Sequence, residues 1–381
     1  MLDTSHLISL KSKITALGLG VLSLFGATSA RADLIEGVPL RGFSDISYLY
    51  ENLNQPYPGQ DRNNSFKLAP VTFFLAKPVD KKVNFLLEMG FEPNSESVGI
   101  DLERIYLQYT VDPWLKIAAG RFHTGLGYWN ETYHHGTYLH TSVTRPVMER
   151  FEDGGGLLPV HTVGLEFRGN GLVAGGNFGY VANIGNGRGP KSDPPTNVLS
   201  YNRSKALSFV GYYEFSNGFR FGPGVYYSQL PGGSNIKEDR TFGTDVGPRG
   251  GETILSGHAV YNSPSIEVLA EYAHLIHNYD VAVDNVDTAG NAFENTKIEA
   301  FYAQFGYHWG QFTPYFRYEL NAPDKADSYL TQLAVTHRYY TAGVRYELTS
   351  GTALKLEYEK RSQSGGPSDD WGAKLNWSFG W

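Results

Sequence analysis

Cysteine is absent from the 381 residues, which excludes both a disulfide framework and a thiolate metal site. Long hydrophobic runs are missing as well. Beyond the first segment no stretch holds roughly 18 or more consecutive apolar residues, so no transmembrane helix is expected. Basic tracts are also lacking: 32 Lys and Arg face 39 Asp and Glu, a formal charge of -7. A nucleic-acid partner is excluded on that ground, because phosphate neutralisation needs clustered cations. Stability must come from backbone pairing and packing, and a membrane, if one is met, is met by strands.

The first segment reads as an export address. Lys11 and Lys13 form a positive start, Ile14 to Phe25 an apolar stretch too short and glycine-broken to span, and Ala30-Arg31-Ala32 supplies small residues for cleavage. A cleaved signal peptide is therefore expected over 1–32, with the mature chain, 33–381, starting near Asp33. Its removal takes away Lys11, Lys13 and Arg31 against Asp3, moving the charge from -7 to -9.

What the chain does have is 26 Tyr, 22 Phe, 6 Trp and 44 Gly, with a negative mean hydropathy. A barrel whose strands alternate lipid-facing and water-facing residues has this composition, since only half of each strand is greasy. The alternation is plainest at the carboxyl end. Trp371, Leu375, Trp377, Phe379 and Trp381 alternate with Gly372, Lys374, Asn376, Ser378 and Gly380. The same period of two runs through Phe312 to Leu320, Tyr340 to Leu348 and Leu354 to Arg361, giving about sixteen candidate strands.

The connections alternate too. Short links are read at Lys77-Pro78-Val79-Asp80, Asp112-Pro113, Gly169-Asn170-Gly171, Ser216-Asn217-Gly218, Asn262-Ser263-Pro264, Gly310-Gln311 and Thr349-Ser350-Gly351. Longer polar stretches lie near 51–64, 92–99, 122–158, 184–204, 229–252, 278–296, 321–338 and 362–370. Short periplasmic turns and long extracellular loops in strict alternation distinguish a transmembrane antiparallel β-barrel from a soluble sandwich.

The first strand Gly42-Phe43-Ser44-Asp45-Ile46-Ser47-Tyr48, the stretch from Tyr106 to Arg121, the run Ile184 to Gly189 and the aromatic carboxyl terminus together resemble Gram-negative outer-membrane porins. The closest similarity is to the superfamily of the phosphate-selective porins O and P, as pattern over the mature chain rather than as a sharp motif. The resemblance implies a bacterial outer-membrane location, a homotrimer and a third loop folded into the lumen. It also implies an aromatic terminal strand (Trp377, Phe379, Trp381) read by the barrel-assembly machinery, although the family usually ends in Phe. Lipid and lipopolysaccharide, that machinery and small hydrophilic solutes are the partners it implies. The arginine ladder and lysine cluster of phosphate-selective members are not found, so that specificity is not carried over.

The loop 122–158 is the longest irregular stretch, and its Tyr128, Trp129, Tyr133, Tyr138 and Phe151 suit packing against a wall. It is expected to form the constriction. The charges it offers are Glu131, Arg145, Glu149, Arg150, Glu152 and Asp153; Arg104, Arg121 and Arg220 face them from the wall. A second inward set, Arg317, Glu319, Arg345, Glu347, Lys355, Glu357, Glu359 and Arg361, is read as cross-strand ladders that stiffen the wall. The mature acidity leans the channel toward cations.

Other chemistries find less support. His134 and His135 diverge on a regular strand and no carboxylate spacing completes a metal site, so neither metal nor other cofactor is expected. His140-Thr141-Ser142 resembles the His-x-Ser of outer-membrane phospholipases, yet Val143 and Thr144 replace their Asn-Gly, so no enzyme is expected. Gly185-Asn186-Gly187-Arg188-Gly189 runs into Pro190, not into the Lys-Ser or Lys-Thr of a phosphate loop. The alternative to a diffusion channel is a plugged barrel that acts through its loops as adhesin or receptor; a lipolytic enzyme using Ser142 comes last.

Overall fold

The computed structural model describes residues 33–35, 38–52, 64–93, 97–134, 136–150, 156–190, 192, 200, 203–232, 247–282, 285–287, 290–331, 333–365 and 370–381. The expected signal peptide lies outside these residues, as do His135, Phe151, Glu152 and Asp153. The chain forms two units, 1–40 and 41–381. In the first, β1 (Asp33–Ile35) pairs antiparallel with the start of β2 (Val38–Asn52), Asp33 opposite Pro39.

The second unit is a closed antiparallel barrel. After β2 come β3 (Asn64–Leu68), β4 (Val71–Pro78), β5 (Val83–Pro93), β6 (Val98–Asp112), β7 (Leu115–His123), β8 (His161–Val173) and β9 (Gly176–Gly185). Then follow β10 (Ala206–Glu214), β11 (Phe219–Pro231), β12 (Arg249–Asn262), β13 (Ile266–Tyr279) and β14 (Thr296–Tyr307). The last are β15 (Phe312–Pro323), β16 (His337–Thr349), β17 (Thr352–Gln363) and β18 (Asp370–Gly380). β3 and β4 both pair with β2 and are halves of one strand broken at Ala69-Pro70, where proline has no amide to give. Counted so, the barrel has 16 strands. Each pairs with its sequence neighbour, and β18 returns to β2 with Gly380 opposite Phe43.

Alternation sets the two faces. On β15, Phe312 and Phe316 are exposed outside while Thr313, Tyr315, Arg317 and Glu319 are buried inside. Leu356, Tyr358, Leu375, Trp377 and Phe379 continue the exposed apolar surface, which only lipid covers favourably. Short turns gather at one end, as the sequence spacing predicts; at the other, the link read as a longer stretch near 92–99 is only the four residues 94–97 between β5 and β6.

One turn is displaced. Gly169-Asn170-Gly171 stays in strand β8 and the chain reverses at Ala174-Gly175, both at positive φ (48° and 84°). The two glycines serve close approach: a Cβ on Gly169 would meet the Trp114 carbonyl oxygen at 1.9 Å, and one on Gly171 the Trp114 ring at 2.3 Å. They mark a packing site, not a bend.

The inner face also departs from the expected polar lining. Along β10 to β14 it carries Val210, Tyr226, Leu230, Ile254, Leu269, Leu275, Ile298 and Tyr302, all buried. These pack with Leu126, Trp129, Met148, Leu157 and Leu158 of the connection between β7 and β8, and with Tyr329, Leu330 and Leu333 of the one between β15 and β16. A small hydrophobic core thus sits inside the barrel, stabilised by roughly 1.5–3 kcal/mol for each large side chain fully buried.

Candidate functional site: the inward loop and its wall

The loop between β7 and β8 folds into the lumen. It contains one short helix, α1 (Tyr128–Thr132), and one turn of 3-10 helix, Val147–Glu149. Gly127, before α1, provides no side-chain cap. The wall supplies one instead: Glu271 of β13 accepts the amides of Tyr128 and Trp129 at 2.6 and 2.8 Å. The Tyr302 hydroxyl donates to the same carboxylate at 2.6 Å.

Further along, the loop is tied down by the charges read as wall ladders. Glu319 accepts the Val147 amide at 2.5 Å, and Glu357 accepts the Val143 amide at 2.8 Å. Arg317 reaches the Thr144 carbonyl at 2.8 Å, and Arg345 those of Tyr138 and His140 at 2.8 and 2.7 Å. Lys355 Nζ donates to the carbonyls of His140 and Ser142 at 2.6 and 2.9 Å, and to that of Thr137. Carboxylates take loop amides and cations take loop carbonyls, so this wall is an anchorage for backbone that has no regular partners.

The ladder expectation is corrected in its geometry. Arg317 pairs with Glu319, Arg345 with Glu347 and Arg361 with Glu359, each two residues along one strand, at 2.7, 2.5 and 2.5 Å. Across the strands Arg345 stands opposite Lys355. Two like charges face each other there, and the loop carbonyls compensate them.

The predicted constriction charges separate into two groups. Arg104, Arg220 and Glu131 remain partly exposed. Arg104 pairs with Glu88 at 2.5 Å, while Arg220 lies 3.8 Å from Glu131 and stacks 3.7 Å above the Tyr212 ring. Arg168, which the sequence reading passed over, joins them at 3.2 Å from Glu131; its place on the inner phase of β8 was the available signal. The others are engaged in the loop's own structure. Arg150 binds Glu359 at 3.0 Å, and the Arg145 backbone carbonyl accepts from Arg150 and Arg317. Arg121 donates from Nε to the Glu103 carbonyl at 3.1 Å.

Glu149 is a correction. It is fully buried, with no hydrogen bond to either carboxylate oxygen among the described residues. Burial, with Glu271 nearby, holds its carboxyl well above the usual range, and the same burial keeps it off any water-lined surface.

The His-x-Ser pair is also turned to structure. Ser142 Oγ donates to the Thr144 carbonyl at 2.9 Å and accepts from Arg317 at 2.9 Å, with His140 Nδ1 at 3.4 Å. Burial, then the fields of Lys355 and Arg317, keep His140 well below its ordinary pKa. The histidine the sequence paired with His135 has other company: His134 lies beside His123, His161 and Glu103, so the expected lack of a carboxylate partner is overturned. Those partners sit on β6, β7 and β8, out of reach of any local spacing rule.

No family model matches the sequence, and no curated protein does. Solved structures do. The anion-selective porin from Comamonas acidovorans is 11% identical over 90% of this chain and 99% of that one, with a TM-score of 0.60. Salmonella typhi OmpF, in complex with daunomycin, is 16% identical over 90% and 97%, with a TM-score of 0.57. In-vitro folded OmpT, an outer membrane protein of Vibrio cholerae in its trimer form, is 11% identical over 90% and 99%, with a TM-score of 0.56. At these identities the likeness is one of fold: a 16-strand barrel of the outer-membrane type.

Proposed function

We propose that this chain is a passive diffusion channel of the bacterial outer membrane for small hydrophilic solutes or ions, without enzymatic activity. One observation carries the reading: the loop between β7 and β8 narrows the lumen from fixed anchors, while Arg104, Arg168, Arg220 and Glu131 stay partly exposed beside it. Charges lining a narrowed passage set ion preference. Glu88 and Glu166, the partners of Arg104 and Arg168, are buried beneath them, so the groups offered to a permeating ion here are three arginines and Glu131, a surface that leans toward anions. That reverses the expectation drawn from net charge. A homotrimer, with the long connections outside the cell, belongs to the same proposal and is supported by the likeness to the trimeric form of OmpT.

A second reading has its own support. The hydrophobic core inside the barrel makes the loop a fixed plug, which fits a closed barrel acting through its outer loops. Single-channel recording in a planar bilayer across a salt gradient separates the two. Stepwise open currents with an anion-side reversal potential are expected; a folded, inserted barrel that passes no current overturns the channel reading in favour of the plug.

A further inference from the structure

Four side chains that the channel reading does not use converge at the root of the inward loop. His123 ends β7 and His161 begins β8, opposite each other in that pair. His134 follows α1, and Glu103 comes from β6. All four are buried. Ring centroids stand 4.0 Å apart for His123 and His134, 4.9 Å for His134 and His161, and 5.0 Å for His123 and His161. Glu103 Oε2 lies 3.2 Å from His134 Nε2 and 3.1 Å from His161 Nε2. One ring nitrogen from each histidine lies within 4.8 Å of the other two.

The backbone is bent to achieve this. In the β5–β6 pairing Glu88 faces Arg104 and Met89 faces Leu102, so Glu103 is the extra residue of a β-bulge. Bulges recur beside functional sites because they re-aim a side chain. His134 adopts φ 46°, a left-handed conformation that a residue with a Cβ seldom takes. Two independent backbone irregularities thus direct ligating groups to one point.

The hydrogen bonds fix the tautomer of His134. The Asn130 amide nitrogen donates to the carbonyls of Thr124 and Val160, at 3.1 and 3.2 Å, so its oxygen is the acceptor 3.2 Å from His134 Nδ1. His134 therefore carries a proton on Nδ1, which leaves Nε2, 3.2 Å from Glu103 Oε2, as the atom that an ion would take in place of that contact. An outer amide that orients a ligating imidazole in this way is the usual support of a metal site.

We propose that His123, His134, His161 and Glu103 bind a divalent transition-metal ion of the Zn2+ type, which fastens the loop to the wall. Three imidazoles and one carboxylate suit such an ion and not the oxygen-seeking Mg2+ or Ca2+. Zn–N bonds of about 2.0–2.1 Å draw the rings inward from their present spacing. Arg121 donates to His161 Nδ1 at 3.1 Å, which leaves the His161 proton on Nε2, facing Glu103. When the ion takes Nε2, the His161 proton passes to Nδ1, which then no longer accepts, and the Arg121 guanidinium turns aside.

The test is titration of the refolded, EDTA-treated protein with Zn2+ by calorimetry, with Co2+ absorption as a second readout. Expected are a single equivalent per chain and visible Co2+ bands of a nitrogen-rich site of low coordination number. Glu103→Gln and His134→Ala abolish binding, and Asn130→Ala weakens it about 10–100-fold, while heat-modifiable mobility shows each barrel folded. Folded wild-type protein that takes up no Zn2+, or binds it as well with His134→Ala, overturns the site. Because the measurement needs no current, its outcome is independent of the channel reading.

Discussion

Glu357 holds Thr144 by three contacts: the Thr144 amide lies 3.1 Å from each carboxylate oxygen, and its hydroxyl donates to Oε1 at 2.7 Å. Hydrogen bonds to a charged group contribute about 1.5–3 kcal/mol each. Glu357→Ala should release this part of the loop, lowering the thermal midpoint of the barrel and giving larger, noisier single-channel currents. Unchanged current with a lowered midpoint would confine Glu357 to stability.

Glu149 predicts a pH effect. Its folded pKa is raised above the unfolded value of 4.5 by burial first and by Glu271 second. The folded state therefore binds the extra proton: stability from this group is complete below pH 4.5 and is lost as pH rises through the raised value. Glu149→Gln should abolish that loss, raising the thermal midpoint at neutral pH and leaving it unchanged near pH 4. A midpoint equal to wild type at both pH values counts against a buried neutral carboxyl.

The lumen charges predict selectivity. Replacing Arg168 and Arg220 by Ala leaves Glu131 without its two cations, so the reversal potential should move toward cations. The difference should shrink in 1 M salt, where the screening length falls to about 3 Å. A potential that ignores both substitutions removes these residues from the permeation path.

Two glycines separate space from conformation. Gly169→Ala must displace the Trp114 backbone, 1.9 Å from the new methyl, and should destabilise by about 1–3 kcal/mol, the usual range for overpacking. Gly175 has nothing within 4 Å but sits at φ +84°; Gly175→Ala should cost roughly 1–2 kcal/mol from backbone strain alone. Denaturant midpoints of the two variants measure both costs.

Much of the barrel was readable because a period of two is a local property. Phe312 to Leu320 shows lipid on one side and Arg317 and Glu319 on the other, whatever lies elsewhere in the chain. The loop's inward course followed from its aromatics and from the porin resemblance. What could not be read is what depends on contacts distant in sequence. Leu269 and Ile254 look like lipid-facing residues until Trp129 and Met148 arrive to cover them. Glu357 and Lys355 look like one salt ladder until the loop amides and carbonyls claim each separately. Glu103 needed a bulge, invisible to periodicity, to reach its histidines.

The span of the loop's anchors has a consequence for biogenesis. Thr141 meets Glu267 across 126 residues, and the His140 carbonyl meets Lys355 across 215. The segment is therefore synthesised well before its docking partners, with Trp129, Met148 and Leu157 uncovered until those strands follow. Exposed apolar surface of this kind is prone to association until β13 to β17 are in place to cover and anchor it.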